Sequence, residues 1–386
     1  LNDAISKKLG NSIYCLMRSD EDDKVVLVSF DLEGDHEWTI DLEVRNTYAF
    51  NEDSDIIYDY VDNSLLIGVL GVSFQRNTGT FTPHLFKVDA DNGELIWSWT
   101  QPNIIAERPD VLTRNVTLSG GFIYHSFFVY GHEYKVYKLS REGRTVWRRP
   151  VSIDFNEIII PCGMVHASSG GVYIGVYHDL GDSVSVWLNE INPEGEIIDS
   201  LNFFGGYTSS DERPLRYQPK FNLHRSLENI WLVSRNDWLT RDETLGVVQG
   251  LQEDGTRLVW LEEGYRPQPR NGVFPRISEG VTDGAGGFWL LYYYPSISEH
   301  NGVPYTIWLD PQPGYPRNPL QLIDNTNHAS NEGQWVTDDG DLVAILNLPP
   351  ENLRLVTNSW SLRLQRIRHP EELSSTDNAS VPEKFA

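Results

Sequence analysis

The chain has 386 residues, of which 55 are acidic and 31 basic, for a net charge of −24. With 40% hydrophobic and 12% aromatic residues it can bury a large core, which excludes global disorder. The acidic balance excludes nucleic-acid binding by phosphate neutralisation and docking on anionic membranes, and no apolar run is long enough for a transmembrane helix.

In chain order the sequence reads as one motif written seven times. Residues 2–9 fit a first strand, GNSIYCLM (10–17) a turn and second strand, and VVLVSFDLEGDHEWTIDL (25–42) a third strand, a glycine turn and a fourth strand carrying Trp38. The next copies follow as DNSLLIGV and HLFKVDADNGELIWSWT, then GGFIYHSFF and KVYKLSREGRTVWRRPV, then GGVYIGVY and VSVWLNEINPEGEIIDSL. The second half continues with ENIWLVS and LGVVQGLQEDGTRLVWLEE, GGFWLLYYY and YTIWLDPQPGYPRNPLQLI, and finally DGDLVAIL and WSLRLQRIRHPEEL. The turn glycines Gly34, Gly93, Gly143, Gly195, Gly255 and Gly314 recur every 50 to 60 residues. Within each copy, β-branched and aromatic residues alternate between Gly, Asn and Asp turns, and helical periodicity is almost absent.

Repeats of this size and strand content predict an all-β fold, a seven-bladed β-propeller of four-stranded antiparallel blades. The predicted blades span approximately 1–45, 46–102, 103–152, 153–206, 207–265, 266–324 and 325–370, with 371–386 as a polar C-terminal tail. A lone twisted sheet exposes both faces, and radial stacking covers them. The strand-four tryptophans Trp38, Trp97, Trp147 and Trp260 are expected to wedge between blades, each placing its indole N–H on a backbone carbonyl. The fourth strand of the last blade is missing from the pattern. Because residue 1 is Leu and no signal peptide is visible, the chain is expected to be processed or part of something longer.

The segments DADNGELIWSW, LSREGRTVWRR and LQEDGTRLVW resemble the repeat of the quinoprotein-like propeller superfamily and the related repeats of bacterial surface and phage tail proteins. The resemblance covers nearly the whole chain. It implies the propeller fold and an extracellular, virion-surface or periplasmic setting, and says little of activity, since one fold hosts many functions. Quinoprotein dehydrogenases carry an adjacent Cys pair, whereas Cys15 and Cys162 lie far apart, so no cofactor is expected and the two residues read as buried thiols.

Connections between second and third strands vary in length and chemistry, whereas the turns on the opposite face are short and monotonous, as at Asp62-Asn63 and Gly120-Gly121. The variable loops fall at about 19–24, 73–83, 130–133, 178–183, 235–244, 294–304 and 347–358. Variable loops on a rigid scaffold are where binding resides. They bring forward His178, Trp238, Arg241, Tyr294 and His300, and the connections between blades add Arg108, Arg216, Tyr217, Arg270 and His328. Converging Arg, Tyr, His and Trp suit a glycan or a protein partner. The same arginines could instead pair with the abundant carboxylates.

A polysaccharide lyase is the alternative, with Arg neutralising a uronate while Tyr or His moves protons. The run Asp89 to Glu94 resembles the start of a calcium loop, but its glycine is misplaced, so it reads as a turn and no metal is expected. The favoured expectation is a non-enzymatic binding or structural module, partnered by subunits of a larger assembly or a surface polysaccharide.

Overall fold

The computed structural model describes residues 4–18, 24–45, 56–75, 78–101, 104–106, 112–129, 134–151, 158–179, 184–205, 220–235, 248–253, 276–282, 286–295, 302–309, 320–321, 330–336, 341–348 and 361–367. All regular elements among them are strands, and no helix is long and apolar enough to cross a membrane. The chain divides into two compact units, Leu1–Ser210 and Asp211–Ala386.

The first unit holds four antiparallel sheets, each a meander in which sequence neighbours pair. The first is β1 (Ala4–Leu9), β2 (Ser12–Arg18), β3 (Lys24–Asp31) and β4 (His36–Arg45). The second is β5 (Ile56–Asp59), β6 (Ser64–Gln75), β7 (Thr78–Asp89) and β8 (Leu95–Thr100), with β9 (Ile104–Ala106) added beside the start of β7. The third is β10 (Leu112–Ser119), β11 (Phe122–Val129), β12 (Lys135–Leu139) and β13 (Thr145–Pro150). The fourth is β14 (Ile158–His166), β15 (Val172–Asp179), β16 (Val184–Ile191) and β17 (Ile197–Gly205).

The two-residue period of a strand explains the packing. Leu65 and Ile67 of β6 face the first sheet and join Leu16, Leu27 and Val44 in one core. Leu66, between them, points to the other face and packs with Ile123, Phe127 and Leu139 of the third sheet. The third and fourth sheets meet through Tyr124, Val136, Ile174 and Val176. Central sheets are therefore apolar on both faces, which is why the repeats read as near-continuous hydrophobic runs. Each fully buried Leu or Ile contributes about 1.5–3 kcal/mol.

The second unit holds β18 (Lys220–Ser226), β19 (Asn229–Arg235) and β20 (Val248–Gln252); then β21 (Arg276–Thr282), β22 (Phe288–Pro295), β23 (Gly302–Leu309) and β24 (Leu320–Gln321); then β25 (Ser330–Val336), β26 (Leu342–Leu348) and β27 (Ser361–Ile367). Trp231 stacks on Phe288 at 5.4 Å across its first two sheets. Trp289, Leu291 and Trp308 pack with Leu342 and Ile367 of the third.

Two expectations need correction. Most of the expected loop 73–83 is strand, at 73–75 and 78–83: β6 and β7 pair from Ser64↔Asp89 to Gln75↔Thr78. The alternation around Val72 and Phe81 continues the ladder, Phe81 is fully buried, and β9 pairs beside it at Gly79–Phe81. Cys162 is buried as expected, but Cys15 is only half-buried. The expected fourth strand around Trp260 and the tail 371–386 lie outside the described residues.

Candidate functional site

The device that positions the turns of the first unit is a repeated tryptophan clamp. Trp38 Nε1 donates to Ala90 O at 3.1 Å, Trp97 Nε1 to Arg141 O at 2.8 Å and Trp147 Nε1 to Pro193 O at 2.8 Å. Each tryptophan sits in the fourth strand of one sheet, and each acceptor sits in the turn before the fourth strand of the next. The indole also lies close against the glycine of that turn. A Cβ on Gly93 would come within 2.5 Å of Trp38, and one on Gly143 within 2.8 Å of Trp97. Both glycines have positive φ, +73° and +78°, so the turn and the close approach each require glycine. This matches the role expected of Trp38, Trp97 and Trp147. In the fourth sheet the equivalent position, opposite Glu190, is Asp199.

Opposite Trp97 and Trp147 in register stand two buried lysines, Lys87 and Lys138. Lys138 Nζ donates to Pro193 O at 2.8 Å and lies over the Phe122 ring at 3.8 Å. Lys87 belongs to a charge cluster. It hydrogen-bonds Asp62 and lies 3.7 Å from Asp59, while Arg141 Nη1, from the next sheet, donates to both Asp59 oxygens at 2.9 and 2.8 Å. Asp59 is 1% exposed, so its charge is held inside by two cations.

Asp59 also accepts a hydrogen bond from Val61 N at 3.2 Å. It thereby holds the β5–β6 turn, whose tip presents Tyr60 at 79% and Val61 at 77% exposure. Tyr60 meets Tyr58 edge-on at 4.6 Å, and Tyr58 is hydrogen-bonded to Asn63. This anchored aromatic tip was missed by the reading that the turns on this face are monotonous. Its signal was present as Tyr58-Asp-Tyr60-Val61, apolar residues where a polar turn is expected. The Asp89–Glu94 run is a turn, as expected. Gly93 N donates to Asp89 O, and the Asp89 carboxylate accepts from Asp91 N and Asn92 N at 2.9 and 3.2 Å.

Burial sets the ionisation of several side chains in these sheets. Burial raises the Tyr14 phenol, pushes Tyr124 up to about 12 and raises Tyr134 further. Burial likewise raises the Cys15 thiol and lowers His84, whose Nδ1 is 3.1 Å from Thr100 Oγ1. Each shift favours the uncharged form: phenols and thiol stay protonated and the imidazole stays neutral. Among the described residues no group of three or more His, Cys, Asp or Glu could hold a metal.

Of the sequence candidates, Arg108, Arg216, Tyr217, Trp238, Arg241, Arg270, His300 and His328 lie outside the described residues. His178 is not in a loop: it lies in β15, paired with Ile159 and Ser185. Tyr294 also lies in a strand, opposite Val303, and is half-buried. Its ring meets Tyr292 at 6.0 Å and Tyr305 at 5.3 Å, which places it at the margin of an inter-sheet core. Aromatic alternation in YYYP carries the strand two residues past the expected loop start.

No family model and no curated protein matches the sequence. Solved structures do. A puromycin hydrolase S511A mutant complexed with PGG aligns with a TM-score of 0.58 at 9% identity, over 95% of this chain and 52% of the other. A second puromycin hydrolase structure aligns at 0.55 with the same identity and coverage. The chain thus spans about half the length of these neighbours. The WD40 domain of SCAP from fission yeast aligns at 0.44 and 10% identity, over 95% of this chain and 84% of that one. The neighbours are propeller-type folds, in keeping with a chain of several four-stranded antiparallel sheets. At these identities the likeness speaks for fold alone.

Proposed function

We propose that the chain is a seven-bladed β-propeller acting as a non-enzymatic binding or structural module, displaying its variable connections to a glycan or protein partner. The reading extends to an extracellular or virion-surface assembly, on the strength of the surface-protein resemblance of the repeats. The observation that carries it is a contrast in connection length. In the first unit the turns between third and fourth strands are uniform, 32–35, 90–94, 140–144 and 192–196, and the tryptophan clamps lock three of them. In the sequence, the stretches expected between second and third strands differ in length and chemistry, from 130–133 to 235–244. Rigid sheets with connections this unequal suit display, because a fixed scaffold lowers the ordering cost of binding. The expected loop 235–244 contains Trp238 and Arg241, which we assign as contact residues.

The test is incubation with a panel of acidic and neutral polysaccharides, following both complex formation and new unsaturated chain ends. Complex formation without new ends, weakened by Trp238→Ala and Arg241→Ala, is the expected result. New unsaturated ends would replace this reading with a lyase using His, Tyr and Arg of the same loops. With neither signal, the glycan partner is wrong and docking to subunits of a larger particle takes its place.

A further inference from the structure

The outer strand of the third sheet departs from the rest of this acidic protein. Between Lys135 and Arg149 there are six basic residues and one acid, Glu142, in a chain of net charge −24. Lys138 and Arg141 are committed, the first to Pro193 O and the second to Asp59. Arg144, Arg148 and Arg149 are exposed, and none forms an ion pair among the described residues. Glu142 is the acid nearest Arg144 along the turn and feels its charge. Val146, between them, is 51% exposed.

β13 is also an unpaired edge. The sheet order is β10-β11-β12-β13, and no described strand lies beyond β13. The register shows which groups face outward. Val151 N donates to Tyr134 O at 2.8 Å, so the pair two positions on, Val136↔Arg149, is bonded inward, and the next pair, Tyr137↔Arg148, is not. The main-chain N–H and C=O of Arg148 therefore point away from the sheet. Pro150 offers only a carbonyl, which keeps the acceptor stretch short. Arg148 and Arg149 project to opposite faces of the sheet.

Charge on an edge strand commonly guards against aggregation, and either sign serves that purpose. The positions equivalent to Arg148 in the other fourth strands of this unit are Thr39, Ser98 and Ser200, and none is basic. The arginines are thus particular to one edge. We propose that the β13 edge accepts an extended acidic peptide of a partner protein as an added strand. Main-chain hydrogen bonds at Arg148 would set its register, and carboxylates on successive residues would meet Arg148 and Arg149 on either face. The probe and the substituted residues differ from those of the polysaccharide test, so the two proposals stand or fall independently.

The test uses the full chain and a labelled peptide of alternating Glu pairs and Val pairs, which carries carboxylates on both faces and is about seven residues long, read by fluorescence anisotropy. The Glu/Val peptide binds, its Lys/Val counterpart does not, and binding weakens as ionic strength rises from about 0.05 M to about 0.5 M. Arg144→Glu with Arg148→Glu weakens binding about tenfold or more, with an unchanged circular dichroism spectrum because both side chains are exposed. Arg149 is left intact, since its Cγ lies against the Gly195 turn. If the double variant misfolds, Arg148→Ala carries the same comparison. N-methylating alternate peptide bonds abolishes binding. Equal binding of both peptides, or unchanged binding by the variant, overturns the proposal. So does equal binding of the N-methylated peptide or of polygalacturonate, which would make the edge a polyanion site. Self-association dispersed by Arg148→Glu would make a second copy the occupant and also overturn it.

Discussion

The tryptophan clamp makes a prediction with an internal control. Gly34 and Gly143 occupy the same turn position in the first and third sheets, with φ of +89° and +78°. A Cβ at Gly34 meets nothing within 4 Å, whereas one at Gly143 meets Trp97 Cδ2 at 2.8 Å and Cε3 at 2.9 Å. Gly34→Ala therefore carries only the left-handed backbone cost, about 1 kcal/mol after the loss of unfolded-state freedom. Gly143→Ala adds overpacking of about 1–3 kcal/mol, because the indole cannot retreat without lengthening its bond to Arg141 O. The expected total is about 2–4 kcal/mol, read as a shift in urea midpoint at constant slope by far-UV circular dichroism. In a Trp97→Ala background the excess cost of Gly143→Ala disappears, as coupled neighbours require. Equal shifts for Gly34→Ala and Gly143→Ala would refute the clamp as the reason for glycine here.

Further consequences follow from the buried charges and thiols. Asp59→Ala leaves Lys87 and Arg141 sharing only the Asp62 carboxylate, and should cost roughly 3 kcal/mol in thermal denaturation, the low end for breaking a buried pair; a loss below about 1 kcal/mol would mean the cluster is solvated. Burial alone would push the Asp62 carboxyl up, but hydrogen bonds from Lys87 and Ser64 and the lysine charge hold it below its usual value. Its contribution to stability is therefore complete above the ordinary carboxylate range and is lost as pH falls through that range and below it. Urea midpoints between neutral and acid pH should fall less steeply for Asp62→Asn, and parallel curves would contradict this. Burial raises the Cys15 thiol, and Cys162 is buried, so neither should react readily with a thiol reagent in the native state, whereas denaturant should release both. Rapid native labelling of Cys162 would show that the inter-sheet core opens.

Strand alternation, turn glycines and the tryptophan after each turn were legible because they are local. A two-residue period and a positive-φ glycine are written in neighbouring residues, so the all-β repeat could be read along the chain, and Trp38, Trp97 and Trp147 with it. Length of pairing was less legible. Gly79 looks like part of a turn, yet the buried Phe81 and the pairing of β9 carry the ladder past it to Thr78. Tyr294 and His178 were placed in loops for a similar reason: polar residues after a strand mark its end only when no partner strand continues beside them.

The sequence by itself determined that this protein is built of repeated antiparallel sheets with glycine turns and tryptophan wedges. Only the tertiary structure decided which side chains meet across sheets. Asp59 and Arg141 are 82 residues apart, and Trp97 and Arg141 are 44 apart. Their meeting depends on register and on the stacking of one sheet over the next, which no local pattern encodes. The same holds for the anchored Tyr60 tip, whose exposure depends on a carboxylate held by a neighbouring sheet, and for the cationic β13 edge, whose arginines are remarkable only once Lys138 and Arg141 have been assigned to partners across sheets.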